Sequence, residues 1–240
     1  DPEGEAESFV RSLGCKVVKI GSESESGIPV FAPRNIGSGD DGAADDADED
    51  TQSSTSQERV LAATIPFVSS YIKIAFSPDI DDMPALEEAL ERTYGAYGIT
   101  PEMTFGEYEA TDLSYPVMED LYNVLNELAK ENPQNPSYDR VAQRIRKAAV
   151  GYDAHRYNSR KVIDASDDIV LINTEGISAD EAMMRAEYYN ILSWCWSQIR
   201  SERWTGHYVR LIADELHTIV NRKSVDAAMM VKNIVQRARK

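Results

Sequence analysis

The residues with the best composition for chemistry are Tyr208–Glu215, an apolar run that ends in two acids, Asp214 and Glu215. At the end of a buried strand, an Asp can organise Mg²⁺ through its water shell, and a neighbouring Glu can orient and deprotonate an attacking water. The sequence therefore predicts Asp214 as the metal-organising residue and Glu215 as the general base of a nucleotide hydrolase. The same pattern also occurs before helices, where acids favour the N-terminal dipole, so the residues alone leave both interpretations open.

Two other charged groups could serve the same chemistry. Glu3 and Glu5 follow a proline at the start of the chain, and at the mouth of a parallel sheet they could reach a nucleotide. The alternative is that they are acids in the first turn of a helix.

Near the other end, residues 222–240 carry six bases against one acid. Arg237 or Arg239 could face a neighbouring subunit as an arginine finger, or both could belong to a solvated helix face.

A phosphate-binding loop of the form G-x-x-x-x-G-K-[ST] is absent from the 240 residues. The chain opens at Asp1 without an initiator Met and stops within a helical pattern at Lys240. We therefore expect an internal piece of a longer protein whose phosphate loop precedes residue 1. We also expect this piece alone to bind ATP poorly and not to hydrolyse it.

Composition excludes wholesale disorder, because 42% of the residues are hydrophobic. The net charge of −16 is uneven, since ten acids and only one base, Arg34, lie between Gly21 and Glu58. The dense part, residues 40–50, is typical of a solvated or disordered insertion. The two cysteines lack C-x-x-C spacing, so we expect reduced thiols. The three histidines make no metal-ligand pattern.

Strand-and-helix patterns surround a purely helical stretch. The sequence predicts a helix over 3–13 and a strand over 16–20. From 57 to 151, apolar residues recur at helical spacing. Within this stretch we expect Pro66 to kink or restart a helix, and we expect Pro84 to begin one. Ile169–Ile172 then reads as a buried strand, and Ser178 with Glu181 as the capping box of a helix reaching about Ser201. These patterns predict an α/β fold with a mostly parallel sheet flanked by helices.

The predicted organisation is a core in two parts, residues 1–36 and 152–240, with an acidic disordered insertion at 37–56 and an all-helical subdomain at 57–151. The order of short motifs resembles the conjugative-transfer ATPases of type IV secretion systems, the VirB/TrbE/TraC-like family in the FtsK–HerA branch of RecA-like motors. The motifs that carry the resemblance are Asp1-Pro2-Glu3-Gly4-Glu5, Leu13-Gly14, Tyr94-Gly95-Ala96-Tyr97-Gly98, Asp120-Leu121-Tyr122, Asp214-Glu215 and Arg239-Lys240. Ala6 and Ala32-Pro33 depart from the family's aromatic and N-P positions.

The resemblance implies a RecA-like, Mg²⁺- and ATP-dependent motor. It would act as a hexamer or dimer in the cytoplasm, peripheral to the cytoplasmic membrane, on the channel proteins of a type IV secretion system. DNA is a further candidate partner. Relatives in this branch use an arginine near the end of the last helix in trans, which favours Arg239 as the finger. The alternatives are a DExH-type nucleic-acid helicase, to which Asp214-Glu215-Leu216-His217 is superficially similar, and a catalytically degenerate scaffold of the secretion channel.

Overall fold

The computed structural model describes residues 6–21, 27–36, 57–163, 169–177, 180–200, 209–213 and 231–232. The first helix, α1 (Glu7–Ser12), gives way to a turn at Gly14, whose φ of +74° lies in the left-handed region that glycine adopts without strain. The strand β1 (Lys16–Gly21) follows, which confirms the strand predicted from its β-branched residues.

A second strand, β2 (Val170–Gly176), pairs with β1 in parallel. Lys16 pairs with Val170, and the register shifts between Lys19 and Gly21, so that Gly21 lies opposite Gly176. Parallel neighbours cannot be joined by a tight turn, so the chain between them must cross a face of the sheet. The helical stretch lies within this crossover, and both strands end at the same edge of the sheet.

The crossover is built from short and medium helices. An isolated antiparallel bridge between Arg59 and Thr104 holds its start. Pro84 lies in the first turn of its helix, as predicted, and the helix does not restart at Pro66, because one continuous helix runs through it. Pro66 and Ala62 are both exposed, so water can satisfy the backbone carbonyl that the proline leaves without a donor. The helices are α2 (Val60–Phe76), α3 (Met83–Gly95), α4 (Phe105–Glu109), α5 (Met118–Glu131), α6 (Ser137–Ala149) and α7 (Ala154–Tyr157), with a 3₁₀ turn at Ile80–Asp82 before α3.

Helix α8 (Glu181–Ile199) lies between two hydrophobic cores. Its residues Tyr189 and Leu192 join the large core of the helical stretch, whereas Ile191 and Trp194 join a smaller core with the two strands. This explains why the helix is apolar nearly all round. Its N-cap is Asp180, whose carboxylate accepts from the Met183 amide at 2.9 Å, so the capping box predicted at Ser178 is wrong.

None of the described helices is both long enough and apolar enough to cross a bilayer.

Candidate functional site at the carboxyl edge of the sheet

The five residues predicted to act on a nucleotide, Glu3, Glu5, Asp214, Glu215 and Arg239, lie outside the described residues. Their roles therefore stay predictions.

The segment just before the predicted carboxylate pair is described and differs from expectation. Residues 209–213 were predicted to form a buried strand, but they have no regular secondary structure and are exposed, Ile212 to 90%. A strand is stabilised by a hydrogen-bonded neighbour, and the strands β1 and β2 pair only with each other in the described part of the chain. Apolar composition alone was not sufficient to place this run in the sheet.

Two glycines form the carboxyl edge of the described sheet. A Cβ added to Gly21 would lie 2.4 Å from the carbonyl oxygen of Gly176, well inside van der Waals contact. The strand ends therefore approach each other at a distance that only glycine permits. In open parallel sheets this edge is where ligands bind, and an edge without side chains leaves backbone groups accessible to them.

Helix α1 is fixed to the two strands by one carboxylate. Glu7 Oε2 accepts from Lys19 Nζ on β1 and from Asn173 Nδ2 on β2, each at 3.0 Å, while its Oε1 accepts from Arg11 at 3.0 Å. The hydrogen bonds from Lys19 and Arg11 hold the pKa of Glu7 below its ordinary value. Glu7 thus stays charged and sets the orientation of α1 across both strands.

The end of β2 is held by side-chain hydrogen bonds. The buried Asn173 uses both ends of its amide, because Oδ1 also accepts from the Glu175 backbone amide at 2.9 Å. The hydroxyl of Thr174 lies 3.2 Å from the hydroxyl of Tyr188 on α8. These contacts hold the carboxyl edge of the sheet against α1 and against α8.

The connector that leaves the sheet, residues 27–36, is anchored by a buried arginine. Arg34 Nη1 donates to the backbone oxygen and to Oδ1 of Asn190 on α8, at 3.1 and 2.7 Å, and Nη2 donates to the Pro29 carbonyl at 2.5 Å. Its guanidinium also lies over the ring of Phe67, 4.9 Å from the centroid. All these acceptors are neutral, and burial lowers the pKa of Arg34 to about 10.

A second buried polar group joins the helical stretch to α8. Tyr71 on α2 donates to Glu187 Oε1 at 2.9 Å, and Arg156 Nη2 on α7 lies 3.6 Å from the same oxygen. Burial raises the pKa of Glu187, although Arg156 and Tyr71 oppose that shift. Both polar groups are therefore contacts between α8 and the crossover, located one turn apart on α8.

The described residues contain no group of three or more His, Cys, Asp or Glu side chains that could hold a metal ion. Both cysteines are free of disulfides, and burial raises the pKa of the Cys195 thiol to about 12, which makes it unreactive at neutral pH. Among the described residues, the edge at Gly21 and Gly176 can therefore contact a ligand through backbone groups, but it supplies no cluster of metal-ligating side chains.

Sequence reasoning missed Glu7 and Asn173, which fix this edge, and it also missed Arg34, Asn190 and Glu187, which join the connector and the crossover helices to α8. One signal was visible: Arg34 is the only base between Gly21 and Glu58. A single cation in an apolar connector (Ile28 to Pro33) indicates a buried structural role. Asn190, within the most apolar part of its helix, is the matching signal on the other side.

A solved structure has a similar architecture. VirB4 of Thermoanaerobacter pseudethanolicus matches with a TM-score of 0.79 at 22% sequence identity, over 100% of this chain and 81% of that one. The chain has a VirB4-like fold. No protein-family model and no curated protein sequence matches it.

The likeness to VirB4 confirms the predicted resemblance to the VirB/TrbE/TraC-like family at the level of the fold, and with it the α/β class. It extends through the crossover helices as well as the strands, because the whole chain is aligned. The identity of 22% is too low to transfer residue roles from VirB4.

Proposed function

We propose that this chain is the greater part of the motor domain of a type IV secretion ATPase. The observation that carries the proposal is the VirB4-like fold over the full length of the chain. The order of the short motifs is a second, independent argument, because it depends on the sequence alone.

The carboxyl edge of the sheet supports a nucleotide site. Gly21 and Gly176 end the two strands where ligands bind in open parallel sheets, and Glu7 and Asn173 hold the edge rigid. Rigid placement matters because phosphoryl transfer depends mainly on position and charge stabilisation. When bound, Mg²⁺ with ATP would supply charge neutralisation of the phosphates.

The proposed residue roles are the ones predicted from the sequence. Asp214 organises the Mg²⁺ water shell, Glu215 takes the proton of the attacking water, and Arg239 stabilises the phosphate charge of a neighbouring subunit's nucleotide. Glu3 and Glu5 lie near the nucleotide. The phosphate loop is proposed to precede Asp1. The motor would work as a hexamer or dimer on channel proteins at the cytoplasmic face of the membrane.

The test uses the longer protein that includes the residues before Asp1. Glu215→Gln should lower ATP turnover by at least ~10² while leaving ATP affinity unchanged, because a general base acts on the chemical step. Glu109→Gln, an equivalent substitution at an exposed helix end, is the matched control and should retain parental turnover. Parental turnover in Glu215→Gln would contradict the proposed base, whereas absence of turnover in the unsubstituted longer protein would favour the scaffold.

The role of Arg239 in trans has its own test. Arg239→Ala and Glu215→Gln should each be inactive alone, but a mixture should recover part of the turnover, because mixed oligomers contain sites with an intact Glu215 facing an intact Arg239. No recovery on mixing, with oligomers still formed, would show that Arg239 does not act across subunits.

A further inference from the structure

Three of the buried polar atoms have no hydrogen-bond partner among the described residues and lie where the connector packs on α2 and α8. They are Arg34 Nε, Thr64 Oγ1 and Ser193 Oγ. These residues are nearly closed to solvent, since Arg34 is 6% exposed, Thr64 2% and Ser193 0%. A buried donor without a partner is costly, so such atoms in a folded protein indicate a bound water or ion.

Helices α2 and α8 pack against each other in antiparallel directions. Tyr71 on α2 donates to Glu187 on α8 at 2.9 Å. One turn nearer the start of α2, the ring of Phe67 stacks on the ring of Tyr189, further along α8, with the centroids 5.2 Å apart. Each turn toward the start of α2 therefore meets a later position of α8.

The same register brings the three unpartnered atoms together. Thr64 lies three residues before Phe67 and Ser193 lies four residues after Tyr189, so each is one turn further along the shared contact. Thr64 is thus opposite Ser193. The guanidinium of Arg34 lies over the ring of Phe67, 4.9 Å from the centroid, and so borders this pair.

The connector also follows α8 past Ser193. Arg34 Nη1 donates to Asn190 Oδ1 at 2.7 Å, and two residues later the carbonyl of Ile36 accepts from Trp196 Nε1 at 3.2 Å. Ser193 lies midway between Asn190 and Trp196 on the helix, so the connector passes over it. Arg34 and Ser193 are therefore neighbours across this contact.

The charge of Arg34 has no counter-ion among the described residues. Its terminal nitrogens donate to neutral oxygens of Asn190 and Pro29. The buried carboxylate of Glu187, one turn away on α8, lies 3.6 Å from Arg156 instead. A buried charge without a counter-charge is destabilising, and an anion beside Nε would offset that cost.

We propose that Arg34 Nε, Thr64 Oγ1 and Ser193 Oγ bind a buried chloride ion. Both terminal nitrogens of Arg34 already donate to protein oxygens, whereas a carboxylate or phosphate is held by two parallel N–H donors. A water molecule has two lone pairs, so it cannot accept from all three donors, and it leaves the charge unbalanced. A monatomic anion accepts from all three and supplies the missing charge.

The bound ion would fix the connector and α2 to α8. Arg34 belongs to the connector, Thr64 to α2 and Ser193 to α8, so one ion joins three elements. The proposal goes beyond the proposed ATPase and is tested without nucleotide, so either can fail alone.

The experiment is urea unfolding of chain 1–240 in sodium chloride against sodium gluconate at constant ionic strength, so that screening is the same. A ligand that binds only the folded state multiplies the folded-to-unfolded ratio by 1 + [Cl⁻]/Kd, which is about elevenfold at ten times Kd. Thr64→Val/Ser193→Ala removes two of the three donors and should reduce this response to less than about twofold.

The matched control is Ser69→Ala. It removes another buried hydroxyl without a partner from α2, two positions from Phe67 and so on nearly the opposite side of the helix from Arg34. This variant should keep the parental response to chloride. Equal stability of the parent in the two salts would overturn the proposal, and so would a parental response in the double variant.

Bromide locates the site directly and does not depend on the folding of any variant. Crystals of the parent grown in sodium bromide should show an anomalous peak in contact with Arg34 Nε, Thr64 Oγ1 and Ser193 Oγ. Density at this position without anomalous scattering would identify a water molecule and overturn the proposal. Absence of any density there would overturn it as well.

Discussion

The phenol of Tyr71 donates a hydrogen bond of 2.9 Å to the carboxylate of Glu187, and both side chains are buried. Arg156 approaches the same carboxylate oxygen at 3.6 Å, so one oxygen joins α2, α7 and α8. On the neighbouring position of α8, the hydroxyl of Tyr188 lies 3.2 Å from that of Thr174 near the end of β2. Helix α8 is thus the rigid element between the crossover helices and the edge of the sheet.

Tyr71→Phe should destabilise the protein by about 1–3 kcal/mol, because a buried carboxylate then loses a hydrogen bond without access to water. The free energy of unfolding in urea measures this. Tyr152→Phe removes the same atom from a residue that is 75% exposed and should change stability by less than about 0.5 kcal/mol. If Tyr71→Phe behaves like Tyr152→Phe, the Tyr71–Glu187 hydrogen bond does not contribute to stability.

Glu187 should make the protein less stable as pH rises. Burial raises its pKa, so the folded state favours the protonated acid, and this stability is complete below the unfolded pKa of about 4.3 and is lost as pH rises through the folded pKa. Gln cannot titrate, so Glu187→Gln should gain stability over the parent as pH increases. Urea unfolding at a series of pH values tests this. The exposed Glu181→Gln should show no such trend, and a parallel trend in both variants would contradict the assignment.

Asp82 should have the opposite pH dependence. Its carboxylate accepts from Arg140 Nε, with both oxygens at 3.1 Å, and this contact lowers its pKa. The stability it contributes is present above the unfolded pKa of about 3.9 and is lost as pH falls through the folded pKa. Asp82→Asn should therefore be less stable than the parent at pH 7, with the difference closing in acid. The exposed neighbour Asp81→Asn is the control, and a difference that persists in acid would contradict the role of charge.

The helical stretch could be predicted because its information is local. Leu86, Leu90 and Tyr94 recur at helical spacing, and all three are fully buried. The anchor of the connector could not be predicted in this way, because Arg34 binds Asn190, 156 positions away, and no local period encodes a buried polar pair. The prediction of a strand at 209–213 was wrong for a related reason, since a strand depends on its neighbour as well as on its own composition.

Gly21→Ala should disturb the carboxyl edge directly. The added methyl would lie 2.4 Å from the Gly176 carbonyl oxygen, so one strand end must move, and we expect a loss of about 1–3 kcal/mol in the free energy of unfolding. Gly27→Ala is the matched control, because a Cβ there has no atom within 4 Å. In the longer protein, Gly21→Ala should also weaken ATP binding, measured by titration at a temperature where the variant is folded, because the displaced strand end borders the proposed nucleotide site. Equal stability of the two variants would show that the strand ends do not approach this closely. A destabilised Gly21→Ala with parental ATP affinity would instead place the nucleotide away from this edge.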